Sequence, residues 1–129
     1  MPKIEKFEDI EAWKFAREVT RLIYEVSSNG PFSRDFGLCN QIRRASVSIL
    51  SNIAEGFERG GNKEFLHFLA IAKGSCGEVR AQLYVAVDQH YLDKVKFDEI
   101  SQKLLETSRV IAGFIRYLQT TELRGSKFK

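Results

Sequence analysis

A chain of 129 residues, of which 43% are hydrophobic, has the size of one domain and enough apolar side chains to form a core. Its net charge of +3, from 20 Lys and Arg against 17 Asp and Glu, permits a nucleic-acid partner without requiring one. No segment approaches the stretch of about 20 apolar residues that spans a membrane, and the charged N-terminal segment lacks the apolar core of a signal peptide. We therefore expect a cytoplasmic protein.

The 3.6-residue period of apolar side chains predicts four long helices, over residues 8–28, 36–59, 62–90 and 94–121. The sequence Asn29-Gly30-Pro31 ends the first helix, and Gly60-Gly61 forms a tight reversal after the second. The residues expected to cap the last three helices are Ser33 or Asp35, then Asn62, then Asp93. Long helices with short connections predict an all-α fold, an antiparallel up-down-up-down four-helix bundle that forms a single domain over 1–129.

The second helix carries two apolar stripes. One of them, which includes Ile42 and Ile49, is the expected core side. The other consists of Val47, Leu50, Ala54 and Phe57. Together the stripes cover an arc of roughly 200°, which is wider than one bundle core requires. A second protomer packed on the extra stripe explains this width, and a helix buried centrally in its own bundle is the alternative; we favour the homo-oligomer.

Polar side chains of the second and third helices are predicted to meet in a layer. If Gly60-Gly61 reverses the chain, Arg44 lies across from Glu78 and Ser48 lies near Ser75. Such a charge-paired layer fixes the register of two helices more than it adds stability, and a solvated face is the alternative. The members of the predicted layer are Gln41, Arg44, Ser48, Asn52, Glu55, Ser75, Glu78 and Gln82.

The third helix also has a stripe of small residues: Ala70, Gly74, Gly77 and Ala81. A glycine inside a helix costs about 1 kcal/mol relative to alanine. A close helix crossing could offset that cost, because small residues let two backbones approach each other. Glycines that are merely tolerated at the surface are the alternative. We favour the close crossing.

The segment QIRRASVSILSNIAEG, from Gln41 to Gly56, resembles the four-helix-bundle proteins encoded in intervening sequences of bacterial 23S ribosomal RNA genes. The resemblance covers nearly the whole chain. FEDIEAW, which ends at Trp13, resembles the family's opening helix, and GSCGEVRAQ, which begins at Gly74, fits the family pattern GS-x-x-E-x-x-x-Q. Leu50 departs from the pattern, because the family has a proline there.

The resemblance implies a four-helix bundle that assembles as a ring-like homopentamer, with a cellular role that is not established. The family is similar in fold to the accessory protein of diversity-generating retroelements, a pentamer that binds nucleic acid and a reverse transcriptase. By analogy, this kinship favours a nucleic-acid partner.

The sequence offers no recognisable site for catalysis, for a metal or for a cofactor. His67 and His90 lie too far apart on one helix to share a metal ion. Glu64 with His67 gives one E-x-x-H motif, where a di-iron bundle needs two. The glycines of the second reversal lack the strand and the Lys-Ser/Thr pair of a phosphate-binding loop. We therefore expect no enzyme, no cofactor, no small-molecule substrate and no membrane partner.

Two functions stay open: a homo-oligomer that binds RNA or DNA, and a scaffold that binds only proteins. Exposed cations are the candidate nucleic-acid contacts. Arg59 and Lys63 at the second reversal are favoured, because symmetry would repeat them around a ring. The full set of candidate contacts is Arg43, Arg59, Lys63, Lys73, Arg80, Lys127 and Lys129.

Overall fold

The computed structural model of the protein describes residues 4–121. Over that range the chain forms five α-helices and no strand, which confirms the all-α prediction. The helices are α1 (Glu11–Val26), α2 (Gly30–Arg34), α3 (Phe36–Glu58), α4 (Asn62–Asp88) and α5 (Lys94–Thr121). Among the described residues, no helix is long and apolar enough to cross a membrane.

The first long helix is shorter than the predicted 8–28. Phe7–Asp9 forms a separate 3₁₀ turn, because Ile10 has an extended backbone (φ −78°, ψ 123°) and separates this turn from α1. At the other end, the hydroxyl of Ser27 donates to the carbonyl oxygen of Ile23 at 2.7 Å. Hydrogen bonds of this kind compete with the backbone bonds of the helix, and α1 ends at Val26, one residue before Ser27.

The connection predicted at residues 29–35 contains the short helix α2, which the sequence pattern did not indicate. Gly30 turns the chain with a φ of 63°, and Phe32 is buried with its ring stacked on that of Tyr91 at 5.2 Å. Asp35 then caps α3, since its Oδ1 accepts from the backbone N–H of Leu38 at 3.1 Å. This confirms one of the two caps expected there.

The second reversal is correct, but its cap is not Asn62. Gly60 has a φ of 85°, and the N-cap of α4 is Gly61, so that Asn62 is already the first helical residue. The asparagine side chain caps nothing, and its Oδ1 is buried without a hydrogen-bond partner. At the next connection Asp93 caps α5 as expected, because its Oδ1 accepts from the N–H of Lys96 at 2.8 Å.

The four long helices surround one hydrophobic core. Helices α1 and α4 each pack mainly against α3 and α5, so α1 and α4 lie at diagonal corners of the bundle. Side-chain contacts pair rising residue numbers on one helix with falling numbers on its neighbour. On α4 and α5, for example, Phe65 contacts Phe114 and Tyr84 contacts Phe97. These neighbouring helices therefore run antiparallel.

Two helices approach each other closely at Gly56 of α3. A Cβ atom added there would lie 2.7 Å from the Cβ of Phe68 and 3.0 Å from the Cδ1 of Phe65, both on α4. The crossing expected at the small residues of α4 is not found among the described residues, 4–121. An added Cβ at Gly74 or Gly77 would meet no atom within 4 Å, because both glycines face away from the core.

Candidate functional site

The outer groove between α3 and α4 holds a ladder of uncharged polar side chains. The hydroxyl oxygens of Ser48 and Ser75 lie 2.9 Å apart, at the level that the antiparallel arrangement predicts. The amide of Asn52 donates to the Ser48 hydroxyl at 2.9 Å and to the Ser48 carbonyl oxygen at 2.8 Å. These bonds fix the relative height of the two helices.

A second rung of the ladder joins Gln41 to Gln82. The Nε2 of Gln82 donates to the Oε1 of Gln41 at 3.4 Å. Gln82 is only 9% exposed, and its Oε1 is buried without a hydrogen-bond partner. The side chains thus form a partly satisfied polar seam within the protomer.

The charged members predicted for this layer do not belong to it. Arg44 and Glu78, both within residues 4–121, are exposed and form no ion pair with each other. Glu55 is also exposed and pairs with Arg59 on its own helix. At 100° per residue Arg44 and Glu55 lie about 40° and 20° farther from the core side of α3 than Ser48 does. Glu78 lies about 60° farther from the core side of α4 than Ser75 does, so the charged side chains stand at the outer edge of the groove. The predicted charge pair is therefore wrong for the single protomer.

The two cations at the second reversal differ in their surroundings. Arg59 contacts Glu55 at 2.7 Å and Glu64 at 3.3 Å, and its guanidinium carbon lies 5.0 Å from the centroid of the Phe68 ring. The hydrogen bond with Glu55 is the main reason why the pKa of Arg59 is raised. Lys63 is exposed and forms no ion pair with any described residue. Of the two cations at this end, Arg59 is therefore already bound to carboxylates and Lys63 is not.

The other candidate cations lie on different surfaces. Arg43 is half-buried; its Nε donates to the Ser27 hydroxyl at 2.8 Å and its Nη2 to the Ser28 hydroxyl at 3.2 Å. Lys73 and Arg80 are on α4, exposed and half-buried respectively, and form no ion pair with any residue in 4–121. The remaining two candidates, Lys127 and Lys129, lie outside the described residues.

The extra apolar stripe of α3 is largely used inside the protomer. Phe57 is 5% exposed and its ring contacts Phe65 of α4 at 5.9 Å, so it is a core residue and not an interface residue. Leu50 is half-buried and packs on the core, and Val47 and Ala54 are half-buried. The arc is wide because α3 packs on α1 along one side and on α4 along the other. The width of the arc therefore does not by itself require a second protomer.

Besides the pair of Arg59 with Phe68, two arginine–aromatic pairs were not predicted from the sequence. The guanidinium carbon of Arg17 lies 5.8 Å from the centroid of the Trp13 ring, and that of Arg43 lies 4.4 Å from the centroid of Tyr24. The first pair has the four-residue spacing of neighbours on a helix and could have been found. The second joins α1 to α3 and depends on how these helices pack.

The cysteines and metal-binding residue types form no reactive centre in the described part of the chain. No group of three His, Cys, Asp or Glu side chains there is placed to hold a metal ion. Burial raises the pKa of Cys39, and raises that of Cys76 to about 12. Both thiols are free and buried, so the thiolate that acts as a nucleophile is scarce at neutral pH.

Comparison with known proteins places the chain among proteins of this fold. A family model described as "23S rRNA-intervening sequence protein" matches residues 8–113. Among solved structures, a protein of unknown function from the S23 ribosomal protein family of Bacteroides thetaiotaomicron is similar, with a TM-score of 0.72 and 20% sequence identity. The similarity covers 81% of this chain and 95% of that one. Among curated proteins, no sequence matches the chain. Because the family match spans well over half of its residues, the chain belongs to the family of 23S rRNA-intervening sequence proteins.

Proposed function

We propose that this protein is a non-enzymatic homo-oligomer, with five copies favoured, that binds RNA or DNA. The observation that carries the proposal is the outward face of α4. Four small residues lie on the side of α4 that faces away from the core, and all of them are exposed: Ala70, Gly74, Gly77 and Ala81. We call these four residues the small-residue face.

The small-residue face is unfavourable in an isolated protomer. Its two glycines cost about 1 kcal/mol each relative to alanine in a helix interior, and no atom in the part of the protomer that the structure describes requires a glycine there. Beside the face, Ile71 is 40% exposed and Val85 is 46% exposed. A closely packed helix of another copy would offset both costs, because it would bury the apolar side chains and use the space above the glycines.

A ring of five copies requires that two different surfaces meet at each contact. In such a ring the small-residue face packs on another surface of the next copy and not on itself. The resemblance noted in the sequence and the geometry of α4 support this arrangement independently of each other. Light scattering should then give a mass several times 14.8 kDa.

A charged residue on the small-residue face should dissociate the assembly. We expect Ala81→Glu to lower the mass toward that of one chain without loss of helical content, because an unpaired carboxylate is strongly disfavoured in a buried contact. Gln102→Glu, which places the same carboxylate at an exposed position of α5, is the matched control and should leave the mass unchanged. A wild-type mass near 14.8 kDa would exclude the oligomer.

The nucleic-acid part of the proposal depends on where the charge lies. Residues 4–121 contain 16 Lys and Arg and 16 Asp and Glu, so the described body is neutral. The net +3 comes from four cations and one acid outside that range: Lys3, Arg124, Lys127, Lys129 and Glu122. Five copies together would carry about five times this charge, which raises the local potential and strengthens an otherwise weak attraction for phosphates.

Filter retention of total RNA at two salt concentrations tests this part. Retention at low salt that falls steeply as salt rises is the expected result, because each bound phosphate releases counterions. The neutrality of the helical body favours the second candidate function, a scaffold that binds only proteins. If the wild-type oligomer retains neither RNA nor DNA at low salt, that second function replaces the first.

A further inference from the structure

Two shallow depressions border α1, one between α1 and α3 and the other on α1 itself, and each combines an aromatic ring with cations. The first, about 510 Å³ in volume, is lined by Tyr24, Asn40, Arg43, Arg44, Val47 and Ser48. The second, about 480 Å³, is lined by Trp13, Lys14, Arg17, Glu18 and Arg21. Trp13, Arg17 and Tyr24 are spaced four and seven residues apart on α1, so both depressions open on the same face of that helix.

An arginine covers the aromatic ring in each depression. Arg17 lies over Trp13, and Arg43 lies over Tyr24, whose side chain is 42% exposed. Hydroxyl groups of Ser27 and Ser28, at the end of α1, hold Arg43 in place. A guanidinium placed over a ring offers a positively charged plane on which a base can stack.

Cations outnumber carboxylates in the lining of the two depressions, although the described body is neutral. Five cations line them, and the one carboxylate in the lining, that of Glu18, pairs with Arg21. Outside the lining, Asp9 interacts electrostatically with Lys14, and Glu25 and Glu99 do so with Arg21. Lys14, Arg17 and Arg44 form no ion pair with any residue in the part of the chain that the structure describes. Unpaired cations of this kind are available to phosphate groups.

We infer that this side of α1, with Arg43 and Arg44 of α3, binds single-stranded RNA or DNA; the inference rests on the nucleic-acid part of the proposed function. The cations contact the phosphates, and bases stack on the two arginine–aromatic pairs, as in other proteins that bind single strands without sequence preference. Trp13 and Tyr24 are separated by about 16 Å along the helix axis, so one strand can reach both pairs. A duplex lacks the exposed base faces that the pairs require.

The single tryptophan of the chain, Trp13, reports on this surface directly. We expect its fluorescence emission to be quenched when oligothymidylate of about 20 nucleotides is added, with binding about tenfold or more tighter than that of inorganic polyphosphate of equal charge. The bases supply this difference through stacking. Equal affinity for the two polymers would overturn the stacking surface and leave only general attraction of charge.

Two double variants, each of which removes two positive charges, show which surface binds the oligonucleotide. Lys14→Gln with Arg17→Gln should lower the affinity for oligothymidylate about tenfold and reduce the dependence of log affinity on log salt by about 0.7 for each phosphate that the variant no longer neutralises. Arg109→Gln with Arg116→Gln removes the same charge from exposed positions of α5 and should change the affinity less than about twofold. Equal reductions of affinity in the two double variants would overturn the inference.

The same measurements separate this inference from the proposed function. If the wild-type protein binds the oligonucleotide while the Trp13 emission and the Lys14 and Arg17 variant are unaffected, this surface is rejected and the proposed function stands. If no nucleic acid binds at all, both are rejected. Light scattering on each variant, together with far-ultraviolet circular dichroism, shows whether assembly and folding are intact.

Discussion

Replacement of Gly56 by alanine tests the close contact between α3 and α4. Gly56 lies in α3 where that helix passes α4, and an added Cβ would be 2.7 Å from the Cβ of Phe68. Non-bonded carbon atoms normally lie about 3.5–4.0 Å apart. A Cβ atom is fixed to the backbone, so Phe68 cannot avoid the new methyl group by changing its rotamer. Relief requires that α3 and α4 separate by roughly 1 Å over several residues.

The expected cost follows from two opposing terms. Overpacking of a core costs about 1–3 kcal/mol, and the rigid neighbour places Gly56 at the upper end. Alanine in place of a helical glycine recovers about 1 kcal/mol. The net loss in the free energy of unfolding should be about 2 kcal/mol. Gly113→Ala in α5 is the matched control, because its Cβ would meet only the flexible end of Arg116 at 3.8 Å.

Urea unfolding followed by circular dichroism measures both variants, at one protein concentration because assembly makes the stability depend on concentration. We expect Gly113→Ala to be up to about 1 kcal/mol more stable than the wild type, so the two variants should differ by about 3 kcal/mol. If Gly56→Ala gains as much stability as Gly113→Ala, the close contact is not a constraint and the packing argument is wrong.

Three further predictions use the described contacts. Because burial raises the pKa of Cys76 to about 12, folded protein holds that proton more tightly than unfolded protein, so stability should be full below about pH 9 and fall as the pH rises toward 12. Urea unfolding at several alkaline pH values should show a smaller loss of stability with rising pH for Cys76→Ala than for the wild type. An equal loss in both proteins would contradict this prediction. A double-mutant cycle of Ser48→Ala and Ser75→Ala should give a coupling of about 1 kcal/mol, whereas strictly additive effects would show that their hydrogen bond contributes nothing. Arg59→Gln should alter RNA retention less than about twofold, since its guanidinium is already bound to Glu55; a tenfold decrease would restore the second reversal as the binding surface.

The long helices were predictable because local signals define them. The predicted bounds of the last helix, 94–121, agree with α5, and Asp35 and Asp93 cap their helices as the sequence indicates. Helix α2 was not predictable in the same way. Its burial depends on the stacking of Phe32 against Tyr91, a residue almost sixty positions later. Periodicity within a short window contains no information on such a contact.

The sequence predicts which residues of the candidate site lie at the same level along α3 and α4, but not which side chains enter the groove. A tight reversal after α3 fixes which residues of α3 and α4 lie at the same level, and Ser48 does lie beside Ser75. Level alone does not decide which side chains enter the groove. Arg44 and Glu78 are at similar levels and still point to solvent, because each is rotated around its helix away from the neighbour.

Glycines show the same limit of sequence reasoning. The stripe that contains Gly74 and Gly77 indicated a close crossing, yet in the described part of the chain the close contact is at Gly56 and not at these two glycines. A glycine that permits a close contact and a glycine that faces solvent have the same local signature. Only the position of the neighbouring backbone distinguishes them. The glycines of α4 therefore become informative about assembly because the structure shows that nothing in the described part of the protomer uses them.

The positions of α4 and α1 separate assembly from binding. These helices occupy diagonal corners of the bundle, so their outer faces point in opposite directions. A contact through the small-residue face that left α1 free would let each copy keep its own arginine–aromatic surface, and a long strand could then bind several copies at once.

In that case Ala81→Glu should weaken the binding of long strands far more than that of short ones, because only long strands benefit from multiple contacts. It should leave the emission of Trp13 in the free protein unchanged. If the ring instead joined the small-residue face to the α1 surface of the next copy, dissociation would shift the Trp13 emission and strengthen the binding of short strands, since it would uncover the surface that binds them.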